Sequence, residues 1–158
     1  MRIGQGFDAH RFDETRRLVL GGVEIDHPLG LLGHSDADVL LHAIIDALLG
    51  AAGLGDIGMR FPDTNHDYRG ISSLLLLADV VREIGLLGYS IANVDATIMA
   101  QKPKIGPYRD KMTQSVSQCL GIDVSRVNIK ATTTEKMGFV GREEGIAASA
   151  VVLLEEKL

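Results

Sequence analysis

Between residues 89 and 133 the chain carries two strand-like runs joined by one helical run, and this arrangement does most to limit the fold. Residues 89–101 alternate, with Val94, Ala96, Ile98 and Ala100 on one side and Asp95, Thr97 and Gln101 on the other. That is the period of two of a β-strand. Pro107 suits the first turn of a helix, Gly121 closes it, and residues 127–133 return to strand-forming types. Two strands with a helix between them are expected to be parallel and joined right-handedly.

The remaining segments extend this unit. Residues 2–12 read as extended, and residues 18–25 as a hairpin around Gly21-Gly22. Ser35 is expected to open a helix, with Asp38 three places on as an Asp variant of the capping box and apolar residues at Val39, Leu41, Ile45, Leu48 and Leu49. Residues 53–70 read as a loop, residues 72–87 as a helix and residues 145–154 as a last strand. The expected fold class is α/β (α+β), a single domain over residues 1–158 with a mixed sheet and helices on one face. No spare helix remains for the other face, so that face is expected to pack against sister subunits.

Composition narrows the function classes. A net charge of −5 and few aromatics argue against a nucleic-acid surface or an anionic membrane as partner. The apolar runs are too short to span a bilayer. The single Cys119 excludes an internal disulfide and is expected in the core of the third helix. Structured-looking sequence begins close behind Met1, leaving no room for a signal peptide, so a cytoplasmic location is expected.

Three sets of residues can carry chemistry. Asp8 and His10 are two apart, so on a strand they leave the same face as two metal ligands would. His42 lies on a helix between Asp38 and Asp46, at i−4 and i+4. Either it is a histidine bonded to a helix carboxylate, or it is a metal-bound imidazole whose second nitrogen Asp46 orients. Two His and one Asp would leave a tetrahedral Zn²⁺ one open position, as in catalytic sites. The second set is Asn128 to Lys136, where a strand passes into Thr132, Thr133, Thr134 and Glu135; hydroxyls and amides there suit phosphate oxygens, and Glu135 suits Mg²⁺. The third is Gly55-Asp56-Ile57-Gly58 with Phe61-Pro62-Asp63-Thr64-Asn65, which suits ribose or polyol hydroxyls but also an ordinary surface loop. His27 and His66 read as exposed and inert.

In this order the pieces resemble the 2-C-methyl-D-erythritol 2,4-cyclodiphosphate synthase family over nearly the whole chain. The resemblance rests on Gly6-Phe7-Asp8-Ala9-His10, on His34-Ser35-Asp36-Ala37-Asp38-Val39-Leu40-Leu41-His42-Ala43, and on the Gly55 and Phe61 runs. It continues through Asn93-Val94-Asp95, Pro103-Lys104, residues 130–136, Gly138-Phe139, Gly141-Arg142 and Glu144-Gly145-Ile146. Ala37 stands where Gly is expected, Asn65 where Asp is usual and Met137 where Leu is usual; Asn65 is expected to alter contacts to the substrate diol slightly, and the other two to be neutral in packing.

The resemblance implies Zn²⁺ on Asp8, His10 and His42, with Mg²⁺ or Mn²⁺ held by Glu135 and substrate phosphates. It implies that His34 and Ser35 contact the methylerythritol phosphate and that His34 and Thr133 align the reacting groups. Asp56, Ile57 and Gly58 would hold the polyol or ribose, beside Phe61, Pro62, Asp63, Thr64 and Asn65. Ala100, Gln101, Lys102, Pro103, Lys104, Ile105 and Gly106 would form a cytosine pocket, and Thr132 to Glu135 a diphosphate cradle near Phe139 and Arg142. The implied reaction is attack of a 2-phosphate on the β-phosphate of a CDP-linked substrate, releasing CMP, in a homotrimer with sites between subunits. Beside these implications, a central cavity lined by aliphatic residues, with Arg142 near its mouth, is a candidate holder of an isoprenoid diphosphate. A metal-dependent phosphoanhydride hydrolase and a non-catalytic isoprenoid-diphosphate-binding trimer are the competing readings.

Overall fold

The structure is a computed structural model that describes residues 1–157. In chain order the elements are β1 (Arg2–Asp13), β2 (Leu18–Leu20), β3 (Val23–Ile25), β4 (Gly30–Leu31), α1 (Val39–Ala52), α2 (Ile57–Arg60) and α3 (Ser73–Leu86). β5 (Tyr89–Met99), α4 (Arg109–Leu120), β6 (Val127–Thr132), α5 (Gly138–Gly141) and β7 (Gly145–Glu156) complete the chain. The main sheet has the order β4-β1-β7-β5-β6, and β2 pairs with β3 as a separate hairpin.

The alternating run became β5, and it pairs in parallel with β6 across α4, from Val94 opposite Val127 to Met99 opposite Thr132. The other pairings of the main sheet are antiparallel, with β7 between β1 and β5. Consequently the C-terminal ends of β1, β5 and β6 and the start of β7 lie at one end of the sheet.

Helix α1 is apolar nearly all round, and Leu40, Leu41, Ile44, Ile45, Leu48 and Leu49 are fully buried against the sheet and the other helices. Each such side chain contributes about 1.5–3 kcal/mol by leaving water. The helix lies directly on β1, because Gly4 and Gly6 have no side chain to hold it off. A Cβ at either position would fall 1.9 Å from a backbone oxygen of α1, Ala47 O and Ala43 O respectively. Among the described residues no helix covers the opposite face of the sheet, and Ile3 (73% exposed) and Phe7 (54% exposed) stand there in the open.

Three expectations need correction. Ser35 does not open α1; the helix starts at Val39 with Asp38 as its N-cap, accepting from Leu41 N–H. The reason is Ala37, whose left-handed backbone (φ 57) breaks any helix attempted from Ser35. The Gly-to-Ala difference at this position therefore acts on the backbone as well as on packing, since the Ala37 methyl is fully buried. The run at residues 53–70 is not all loop: Asp56 caps the short α2, and Asn65 caps a 3₁₀ turn at His66–Tyr68. Cys119 is half-buried at the core margin, donating to Leu74 O.

Asp38 has a second task. Its carboxyl is fully buried and accepts from Gly21 N–H at 2.9 Å and Gly22 N–H at 2.7 Å, tying the β2–β3 turn to the start of α1. Burial pushes the carboxyl up to about 6, against the pull of the Gly22, Leu41 and Gly21 N–H groups.

Candidate metal centre

Strand β1 presents Asp8 and His10 on one face, and α1 brings His42 onto them. Asp8 Oδ2 lies 2.8 Å from His10 Nε2 and 3.0 Å from His42 Nδ1, and the two ring nitrogens are 3.1 Å apart. A cation about 2.0–2.2 Å from each of three donors at tetrahedral angles requires donor separations of about 3.3 Å. The observed sides of 2.8, 3.0 and 3.1 Å are shorter than that by up to about 0.5 Å, a gap that small side-chain shifts close, so the donor set fits a divalent ion.

Asp8 and His10 shift each other's protonation. Burial alone would raise the Asp8 carboxyl, but hydrogen bonds from His10 and His42, with their charge, hold it well below the usual carboxylate range. Burial would lower His10, yet the hydrogen bond and charge of Asp8 and the Leu32 carbonyl raise it. His10 Nδ1 lies 2.7 Å from Leu32 O, an acceptor only, so Nδ1 carries a proton and Nε2 is left to face the cluster.

His42 is oriented differently from the expectation. Asp46 does not touch its ring; the Asp46 carboxylate accepts from Ile57 N–H and anchors α2. Asp38 is likewise occupied with the backbone of the hairpin and of α1. Both lie on α1 or at its cap, but the His42 ring tilts toward β1 and α3, away from either carboxylate. Its Nε2 meets Ser73 Oγ at 2.9 Å and Ser35 Oγ at 3.0 Å. Ser73 is a residue that sequence reasoning missed, since only the packing of α3 on α1 brings it there.

The cluster floors a cavity of about 430 Å³ whose wall includes His34, Ser35, Ile57, Gly58, Phe61 and Asp63. Part of the third sequence set thus joins the first. His34 Nε2 donates to Asn65 O, which holds the 61–65 loop beside the cavity. Asn65 uses its side chain to accept from Asp67 N–H, a task an Asp performs equally well.

A second cavity of about 320 Å³ opens at the same end of the sheet but on its β6 edge, with Ala100, Gln101, Pro103, Lys104, Ile105, Gly106, Thr132 and Thr133 in its wall. Lys102 is turned aside into an ion pair with Glu143. Glu135 and Lys136 follow in the left-handed region (φ 52 and 63), and Glu135 N–H donates to Thr133 Oγ1. Successive non-glycine residues held there concentrate strain at a prospective ligand loop. Three strand spacings, about 14 Å, separate the β1 edge from the β6 edge. Within one chain, therefore, His34 and Thr133 do not share a cavity, and Glu135 is not with the Asp8 cluster. Phe139 and Arg142 are exposed on and after α5, and Arg142 pairs with Glu144. His27 is half-buried against Phe12, and His66 is exposed; neither joins a cluster. A third cavity, of about 480 Å³, lies at the opposite end of the sheet near Tyr89 and Lys157, and among the described residues no metal-ligand cluster lines it.

Comparison with known proteins bears on the whole chain. The YgbB family model matches residues 1–155. A protein of Syntrophotalea carbinolica named 2-C-methyl-D-erythritol 2,4-cyclodiphosphate synthase is 58% identical over 156 residues, covering 99% of this chain and 95% of that protein. Among solved structures, the bifunctional IspDF of Campylobacter jejuni superposes with a TM-score of 0.95 at 44% identity, covering 98% of this chain; this chain spans only 42% of that one. The IspF of Plasmodium falciparum in complex with CDP gives 0.87 at 39% identity, covering 99% of this chain and 97% of that one.

Proposed function

The chain belongs to the YgbB family, and on that premise we propose that it is a 2-C-methyl-D-erythritol 2,4-cyclodiphosphate synthase of non-mevalonate isoprenoid biosynthesis. It converts 4-diphosphocytidyl-2-C-methyl-D-erythritol 2-phosphate to the cyclic diphosphate and CMP, as a metal-dependent phosphorus–oxygen lyase. The observation that carries this reading is the triangle of Asp8, His10 and His42 at the floor of a cavity, in a chain 58% identical to a protein of that name.

The chemistry suits the groups available. The 2-phosphate oxygen forms a bond to the β-phosphorus, and the bond from that phosphorus to the oxygen of the CMP phosphate breaks. A phosphate monoester has its second pKa near about 6 and is largely dianionic at neutral pH, so it needs no general base. CMP leaves as an anion and needs no strong acid. The remaining barrier is the mutual repulsion of two anions and their alignment. Zn²⁺ on the three ligands, with Mg²⁺ or Mn²⁺ at Glu135, would supply charge neutralisation. His34 and Ser35 would orient the phosphate in the metal cavity, and Asp56, Gly58 and the 61–65 loop the adjoining hydroxyls. Residues 100–106 would enclose the cytosine, and Thr132, Thr133 and Thr134 would hold the diphosphate.

One chain supplies these groups on opposite edges of its sheet. We therefore read the working form as a homotrimer whose uncovered sheet faces pack together, so that the β1 edge of one copy completes the β6 edge of the next. Ile3 and Phe7, exposed on that face, support this arrangement. The whole of residues 1–158 acts as one synthase domain, and a cytoplasmic location is part of the same reading.

The test is incubation of the protein with the substrate, Zn²⁺ and Mg²⁺, followed by ³¹P NMR with a chelated control and the His42→Ala variant. CMP and a cyclic diphosphate should appear in equal amounts, and only with metal and His42 present. CMP with a linear diphosphate would make the protein a hydrolase and refute the synthase reading.

A further inference from the structure

The ring of His42 has two nitrogens, and only one of them can ligate an ion. Nδ1 faces Asp8 and His10, so ligation requires the proton to be on Nε2. In an uncharged ring beside the Asp8 carboxylate, the opposite tautomer competes, because Nδ1–H can donate to Asp8 Oδ2 at 3.0 Å. What the Nε2 side offers therefore decides how readily the ring serves as a ligand.

Asp36 answers that question through Ser73. The Asp36 carboxylate meets donors only: Ser73 N–H at 3.0 Å, Asp38 N–H at 3.2 Å and the Ser73 hydroxyl at 2.5 Å. With its single proton committed to Asp36, the Ser73 oxygen can only accept from His42 Nε2, 2.9 Å away. Ser73 is fully buried and His42 nearly so, so no bulk water substitutes for this contact. We propose that Asp36 and Ser73 form a positioning relay that keeps the His42 proton on Nε2 and so presents Nδ1 as a metal donor. The proposal deepens the metal-dependent reading above and rests on it.

Ser35 cannot take over the task unaided. Its Oγ lies 3.0 Å from Nε2, accepts from Ala37 N–H at 3.2 Å and lies 3.4 Å from Ser73 Oγ, which can take its proton while Ser73 is present; among the described residues no carboxylate holds that proton. Without Ser73, the Ser35 hydroxyl is free to donate to Nε2, which favours the tautomer with Nδ1–H turned to Asp8. Loss of Ser73 thus both removes an acceptor and lets a competing donor in.

The test uses the whole protein and Zn²⁺ alone. Affinity is measured by competition with a chromophoric chelator, and the ring proton of zinc-loaded, ¹⁵N-histidine-labelled protein is followed by NMR. Wild type should bind Zn²⁺ and show a hydrogen-bonded, slowly exchanging Nε2–H. Ser73→Ala, which leaves the Asp36 contact to the residue 73 backbone in place, should bind Zn²⁺ roughly 10- to 100-fold more weakly. Its Nε2–H should exchange faster and shift, and Ser73→Thr, which restores a hydroxyl, should recover both readouts. Unchanged zinc affinity and an unchanged Nε2–H in Ser73→Ala would overturn the relay while leaving the metal site standing. If wild type binds no Zn²⁺, the metal reading itself falls. Should Ser73→Ala fail to fold, Ser73→Cys decides: a thiol is a poor acceptor, so wild-type affinity in that variant would equally overturn the relay.

Discussion

Gly6→Ala places a methyl group where the structure has helix backbone. The new Cβ would sit 1.9 Å from Ala43 O and 2.7 Å from Ala47 N, and real Cβ atoms do not approach other atoms within 3.0 Å. Strand and helix must therefore separate by about 1.1 Å at least, and no rotamer change can relieve a clash between backbone atoms. The strand is held by its antiparallel register with β7 from Arg2 to Arg11, so α1 is the element that moves. Overpacking of this kind costs about 3 kcal/mol or more. At roughly 2–4 °C per kcal/mol, the apparent melting temperature should fall by roughly 6–12 °C at fixed protein concentration. The same displacement carries His42, next to Ala43, away from Asp8 and His10. A ligand carried off by about that much no longer reaches an ion held at about 2.0–2.2 Å by the other two, so Zn²⁺ affinity should fall by roughly tenfold or more. The control is Gly50→Ala in the same helix, where a Cβ meets nothing nearer than Gln5 O at 3.9 Å. It should gain about 0.5–1 kcal/mol from lost chain entropy in the unfolded state. If Gly6→Ala melts like wild type, the reasoning about direct strand–helix contact is refuted.

Two further outcomes follow from the loop before α1. Ala37→Gly should leave stability within about 1 kcal/mol of wild type by chemical denaturation, because relief of the left-handed backbone, about 1–2 kcal/mol, offsets the lost methyl burial and added chain entropy. Ala47→Gly inside α1 has no such relief and should lose about 2 kcal/mol; equal losses at the two positions would contradict the strain at Ala37. The Asp38 carboxyl, pushed up to about 6 from 3.8, binds its proton more tightly in the folded chain than in the unfolded one. Its contribution to stability therefore rises as pH falls through the window from about 6 to 3.8 and is absent above it. Asparagine has no proton to gain there, so the stability difference between wild type and Asp38→Asn should shift in favour of wild type from pH 7 to pH 4. A difference that stays constant across that range would count against the assignment.

Much of the architecture was legible along the chain because its causes are local. Alternation in residues 89–101 made β5, the Gly21-Gly22 pair made the hairpin turn, and Gly121 closed α4 in the left-handed conformation. The pair Asp8 and His10 was legible for the same reason, since a strand sends residues two apart to one face. Local pattern also misled: Ser35 resembles a helix cap, and the left-handed Ala37 that disqualifies it follows from where the Gly33–Asp38 turn must pass.

What tertiary structure alone decided is which groups meet across long sequence separations. Asp46 sits at helical spacing from His42, yet the ring faces β1 on one side and Ser73 of α3 on the other, and side-chain direction is set by packing rather than by spacing. The partition of the candidate site between the β1 and β6 edges likewise follows from the strand order β4-β1-β7-β5-β6, in which the last strand of the sequence inserts between earlier ones. Amino-acid order carries the local periods that make each element and the donor types that make a metal site possible. The strand order and the angle at which α1 crosses β1 carry the rest, because they arise only when separate apolar faces are buried against one another.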